Sequence, residues 1–153
     1  MADAVGNGPS LEDEPTHPAL DRRSPAHASL RLRQLSASFT CDDLAKSVRL
    51  YIDGLGFTVK ERWEEEGKLL GVMLIAGACE LGLSQDDWSK GRERKKGIGC
   101  RLWATTVDDL EALAKRARAV GLTVDGPKTE PWGARTVAVT DPDGFQISFS
   151  HAE

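Results

Sequence analysis

The chain has 153 residues, 40% of them hydrophobic and 29% charged, enough to build one folded domain with its own core. Its formal net charge of −4 argues against sequence-independent nucleic-acid binding. The longest apolar run, Val72 to Ala76, is far too short for a membrane span, and no signal-peptide layout is present, so a cytoplasmic protein without membrane partners is expected.

Residues 1–29 hold Pro9, Pro15, Pro18 and Pro25 with scattered acidic and small residues and no apolar periodicity. This composition reads as a disordered leader, because it offers too little apolar surface to offset the entropy of ordering. The leader carries a net −3, so the rest is close to neutral. Leu30 to Cys41 alternates as a strand, and Asp42 or Asp43 then caps a helix with a Leu44, Val48, Tyr51 and Ile52 stripe, stopped by Gly54 and Gly56. Strands follow at Phe57–Trp63, Lys68–Ile75 and Cys79–Ser84, with Gly67 and Gly77 at the turns. Residues 30–88 thus form a first βαβββ module and 89–97 a charged, solvated linker.

Residues 98–153 repeat the pattern. Ile98–Val107 reads as a strand, and Asp108-Asp109-Leu110 repeats Asp42-Asp43-Leu44 at an offset of 66. The helix that follows ends at Gly121, and Val120-Gly121-Leu122-Thr123-Val124 repeats Leu55-Gly56-Phe57-Thr58-Val59 at an offset of 65. Strands at Arg135–Val139 and Phe145–Ser150 are joined by Asp141-Pro142-Asp143-Gly144, whose residues suit a tight turn; this explains the paired aspartates better than acid–base chemistry does. A self-similar offset of this size indicates duplication. The fold class is α+β, with two tandem βαβββ modules whose curved mixed sheets surround a cleft. Cys41, Cys79 and Cys100 are widely spaced with no CxxC, and read as small core residues under reducing conditions.

The paired layout resembles the vicinal oxygen chelate superfamily, which includes glyoxalase I, extradiol dioxygenases and bleomycin-resistance proteins. The matching residues are Asp43-Leu44-Ala45-Lys46-Ser47, Tyr51 and Leu55-Gly56-Phe57 in one half, and Asp109-Leu110, Gly121, Pro131-Trp132-Gly133 and Asp141-Pro142-Asp143-Gly144 in the other. The resemblance implies four metal-ligand positions, on the first and last strand of each half, which fall here on Ser36, Gly82, Leu102 and Ser148. None is His, Asp or Glu, so no metal and no cofactor is expected. A rescue site from Glu80, Gln146 and His151 would use residues off those positions.

Period-two sorting puts Ser36, Ser38 and Thr40, Glu80 and Gly82, Leu102, Ala104 and Thr106, and Gln146, Ser148 and Ser150 on the cleft side; the opposite set, Trp103 included, goes under the helices. Four of the few aromatics are tryptophans. Trp63, Trp88 and Trp132 fall outside the core pattern, and flat aromatic walls suit planar ligands. The ligand-binding set is therefore Ser36, Ser38, Trp63, Glu80, Trp88, Leu102, Trp132, Gln146 and Ser148. The resemblance then points to its bleomycin-resistance branch: a homodimer that sequesters a small molecule or antibiotic without chemistry. The alternatives are a lyase or dioxygenase with atypical metal ligands, a metal-free enzyme with Glu80 as general base, and an interaction module with a filled cleft.

Overall fold

The structure, a computed structural model, describes residues 30–152, so the leader reading for 1–29 lies outside the described residues. The elements in chain order are β1 (Ala37–Cys41), α1 (Leu44–Leu55), β2 (Thr58–Glu65), β3 (Lys68–Ala76), β4 (Cys79–Gln85), β5 (Arg101–Thr106), α2 (Leu110–Ala119), β6 (Thr123–Thr129), β7 (Arg135–Thr140) and β8 (Gln146–His151). They form two four-stranded sheets of identical topology, β1-β4-β3-β2 and β5-β8-β7-β6. In each sheet the first and last strands of the module pair in parallel and the other pairs are antiparallel. The expected α+β duplication is the observed one. No helix among the described residues is long and apolar enough to cross a membrane.

The two modules share one core. Phe39, Cys41, Val72, Leu74, Leu81 and Leu83 from the first sheet and Val137, Val139, Ile147 and Phe149 from the second are buried around Leu44 and Tyr51 of α1 and Leu110, Ala114 and Ala117 of α2. Burying side chains of this size contributes about 1.5–3 kcal/mol each and drives the sheets onto the helices. Phe39 stacks on Phe145 across the modules, with centroids 4.1 Å apart and planes inclined by 7°. Because both sheets pack their inner faces on a common core, their other faces point away from it.

The two helices approach closely, and Gly54 is the reason. It lies inside α1, buried, where an added Cβ would stand 2.7 Å from Val120 and 2.8 Å from Leu122. Gly54 thus makes room for the second module and does not stop the helix; Gly56 does, in the left-handed region at φ 82°. Arg116 of α2 completes the end of α1, its Nε donating to the Asp53 carbonyl at 2.7 Å and its Nη2 to the Ile52 carbonyl at 3.1 Å. At the other end, the Asp43 carboxylate accepts from the Lys46 N–H at 3.1 Å.

Three expectations are corrected. The first strand starts at Ala37, and Leu30, Leu32 and Leu35 are exposed. The linker is exposed over 89–93 and at Lys95, but its end is not solvated. Lys96 has a side chain only 3% exposed and bonds Asp86 Oδ2 at 2.9 Å and Asp42; Arg94 Nη2 donates to the same Asp86 oxygen at 3.0 Å. These bonds, that from Lys96 first, hold the Asp86 carboxyl well below the usual range. The backbone of Gly97 lies against that of Gly144, where an added Cβ would meet a carbonyl carbon at 2.0 Å. The third correction concerns β5 and bears directly on the site.

Candidate functional site

Each sheet buries one face and leaves the other in solvent, and the open faces carry the candidate site. On the first sheet, the register sets Ser38 beside Gly82 and Met73, and Thr40 beside Ser84, Gly71 and Trp63. Trp63 is 47% exposed and lies over Gly71, where an added Cβ would be 3.1 Å from its ring. The missing side chain at Gly71 is what lets the indole lie down on the sheet. Glu80 shares this face and is ion-paired with Lys60 of β2. The pair ties the two strands electrostatically and supplies Glu80 with a cationic partner, an arrangement suited to a held carboxylate. Ser36 sits one residue ahead of β1, exposed.

On the second sheet, Trp103 pairs with Ser148, Arg101 with Gln146 and Thr105 with Ser150, so these six residues share the open face. Trp103 is 58% exposed and Leu102 and Ala104 pack against the core with Ile147 and Phe149. This reverses the expected orientation: Leu102 is on the helix side, and Arg101 and Trp103 are on the open face. The cause is a one-residue difference in loop length. One residue, Asp42, separates β1 from the Asp43 cap, whereas Val107 and Asp108 separate β5 from the Asp109 cap. Counting back from the second cap therefore lands one residue out, and in a strand one residue is the opposite face.

Trp132 projects from a turn closed by Glu130 N–H to the Ala134 carbonyl at 2.8 Å and Gly133 N–H to the Glu130 carbonyl at 2.9 Å. Its ring, in a residue 64% exposed, meets that of Trp103 edge to face with centroids 6.3 Å apart. Beneath this pair the floor is small and polar. Ser148 is buried, and Thr136, also buried, donates through Oγ1 to Glu130 Oε1 at 2.8 Å. Arg101 Nε donates to Gln146 Oε1 at 2.6 Å, and its guanidinium carbon is 5.7 Å from the Trp103 centroid.

Trp88 follows β4 in a segment whose Asp86, Asp87, Ser89 and Lys90 line a hollow with Thr40 and Ser84 of the first open face. Trp88 belongs to the linker: its N–H donates to Asp86 Oδ1 at 2.9 Å, and Arg92 and Lys96 cover its ring at 4.6 and 5.1 Å. That partnership accounts for an aromatic residue in a polar stretch. His151 is at the end of β8, with Nε2 3.2 Å from the Val107 carbonyl. Glu80, Gln146 and His151 do not converge, and no group of three or more His, Cys, Asp or Glu suited to a metal occurs among the described residues. The strand registers also redefine the implied ligand positions. Since Ser38–Gly82 corresponds to Trp103–Ser148, the counterpart of Ser36 is Arg101. A divalent ion would face two hydroxyls, a glycine and a guanidinium, which has no lone pair to offer and repels a cation; these residues do not fit a metal.

Sequence reasoning also missed the contacts that lock the modules together. The Tyr51 hydroxyl donates to Asp141 Oδ2 at 2.9 Å, and the Asp42 N–H donates to Asp143 Oδ1 at 2.9 Å. Both aspartates serve the turn as expected, with Asp141 Oδ1 accepting from Asp143 and Phe145 N–H groups at 2.9 and 3.0 Å. Burial raises the Asp141 carboxyl above its ordinary value.

The model of one family, described as the Glyoxalase/Bleomycin resistance protein/Dioxygenase superfamily, matches residues 31–149. No curated protein matches the chain. Among solved structures, TioX from Micromonospora sp. ML1 is similar with a TM-score of 0.63 at 18% identity, over 77% of this chain and 97% of that one. TnmS3, an antibiotic binding protein from Streptomyces sp. CB03234, has a TM-score of 0.60 at 24% identity, over 83% and 100% of the two chains. A glyoxalase/bleomycin resistance protein from the same Streptomyces strain has a TM-score of 0.56 at 26% identity, over 76% and 98%.

Proposed function

The chain belongs to the glyoxalase/bleomycin resistance protein/dioxygenase superfamily, and from this premise we propose that it binds and sequesters a small planar molecule, an antibiotic among the candidates, without transforming it. The observation that carries this reading is the pair of open faces, with exposed Trp63 on one and Trp103 and Trp132 on the other, over a floor rich in Ser, Thr and Gly. Large apolar groups left in solvent around a small-residue floor are what a flat ligand needs, and they are costly to leave uncovered. The Ser36, Gly82, Arg101 and Ser148 set supports a role without a metal. The antibiotic-binding neighbour TnmS3 supports the ligand class.

Because the two faces of one chain point away from a shared core, neither closes the other. A second copy supplies the cover: the first-sheet face of one chain meets the second-sheet face of its partner, and a two-fold axis makes two equivalent clefts. Trp63 then lies opposite Trp103 and Trp132. The test is tryptophan-fluorescence titration of the purified protein with a panel of planar antibiotics, alongside sedimentation velocity. Saturable quenching at one ligand per chain, on a dimer, is expected. A monomer that responds to no member of the panel, or stoichiometric zinc, iron, nickel or manganese in the purified protein, would overturn the reading.

A further inference from the structure

We propose that the second-sheet face receives an anionic oxygen of its ligand on Arg101, so that the ligand class is a planar aromatic acid, such as a ring-bound carboxylate or an ionised phenol. The proposal rests on the binding function above and adds the charge of the ligand to it.

Three observations carry it. First, the strand registers place Arg101 where the superfamily resemblance implies a metal ligand. A metal there would supply positive charge to a ligand oxygen; here the chain supplies a permanent positive charge of its own, since a guanidinium stays protonated at any working pH. Second, the group is held in place. Its Nε donates to Gln146 Oε1 at 2.6 Å, and its guanidinium carbon is 5.7 Å from the Trp103 centroid, which leaves the two terminal nitrogens as a fork of donors beside the aromatic wall. Third, its charge is not neutralised. Among the described residues no carboxylate pairs with Arg101. The other cation of this face, Lys128, is already paired with Asp125 at 2.7 Å and lies 3.9 Å from Glu130. An aromatic ring against Trp103 and Trp132 with its acidic group on the Arg101 fork satisfies both features at once.

The experiment is calorimetric titration of the whole protein with naphthalene-2-carboxylate and with naphthalene-2-carboxamide, probes of one shape that differ in charge. Wild type is expected to prefer the carboxylate by about tenfold, the scale of a charge-assisted fork in a partly exposed site. The preference falls as salt is raised from about 0.05 to 0.5 M, because exposed charges are screened. Arg101→Gln brings the carboxylate-to-amide ratio to about one, and Arg101→Lys retains part of it because the charge survives without the fork. Trp132→Ala weakens both probes. Equal binding of the two probes to wild type, or a ratio unchanged in Arg101→Gln, refutes the inference and leaves the binding function standing. Failure of both probes to bind wild type refutes the inference, and the antibiotic panel above then decides the binding function separately. Arg101 is exposed on an edge strand, so Arg101→Gln should melt with wild type, which circular dichroism checks.

Discussion

Replacing Tyr51 by Phe tests the joint between the modules. The Tyr51 hydroxyl reaches Asp141 Oδ2 at 2.9 Å from the other half of the chain, and the two residues are 2% and 6% exposed. Phe fills the same space, so packing is kept and one donor is lost. Asp141 retains its two backbone donors on Oδ1, but Oδ2 is left buried without its partner. That costs about 1.5–3 kcal/mol, the range for a hydrogen bond to a charged group. At about 2–4 °C per kcal/mol for a chain of this size, the melting temperature falls by about 3–12 °C. The pH dependence identifies the cause. Burial holds the Asp141 carboxyl above its ordinary value and the Tyr51 hydroxyl opposes that shift, so the variant's carboxyl rises further. A carboxyl raised by folding contributes stability that is full below its unfolded value and is lost as pH rises through its folded value. The variant therefore loses more on going to neutral pH. Thermal melts at about pH 4, 5.5 and 7.5 should show the gap widest at the highest pH and narrowing toward the lowest. A gap below about 1 °C at neutral pH, or one that does not change with pH, refutes the account.

Other outcomes follow from the same geometry. In urea unfolding, Trp103→Ala, Trp132→Ala and the double variant should be non-additive by about 0.5–1.5 kcal/mol, the value of an edge-to-face pair; strict additivity would mean the rings do not meet. Asp86→Asn should lower the melting temperature by removing the partner of a buried Lys96. Because folding depresses the Asp86 carboxyl, its contribution is present above the ordinary carboxylate range and is lost only below it, so the difference from wild type should persist to below about pH 4. A difference that vanishes near neutral pH would assign it elsewhere. With a thiol reagent at pH 8, exposed Cys79 should react promptly, while Cys41, whose thiol burial pushes up to about 12, should react only on unfolding. Equal rates for the two would place Cys41 at the surface.

Much of the fold was legible because it is written locally and twice. The Asp43 and Asp109 caps, the Asp141–Gly144 turn and the alternation in β1, β4 and β8 are all short-range signals, and the repeat let one half check the other. What was not legible depends on where the modules meet. Tyr51 and Asp141 are 90 residues apart, and each has an adequate local explanation, as a helix-stripe aromatic and a turn aspartate. Gly54 reads as a helix terminator until α2 is laid against it. Lys96 reads as a solvated charge and Trp88 as a ligand-facing aromatic until Lys96 is seen on Asp86 and the Trp88 ring under Arg92 and Lys96. On the open faces, the exposure of Trp63 and Trp132 and the positions of Ser38, Gln146 and Ser148 follow from composition and parity. Arg101 was overlooked because the count back from Asp109 started one residue too far from its strand.

That single residue has a consequence for how duplicated halves become different. β5 carries two complete surfaces on alternate positions, Arg101, Trp103 and Thr105 on one side and Leu102, Ala104 and Thr106 on the other. The length of the Val107-Asp108 connection decides which of them is shown to the outside. Substitutions exchange side chains one at a time and must pass through mismatched intermediates. One residue more between strand and cap moves the exposed set by one position, which no single substitution does. Here the second half shows Trp103 and Thr105 at the register positions where the first shows Ser38 and Thr40, so one repeated unit presents two unlike open faces.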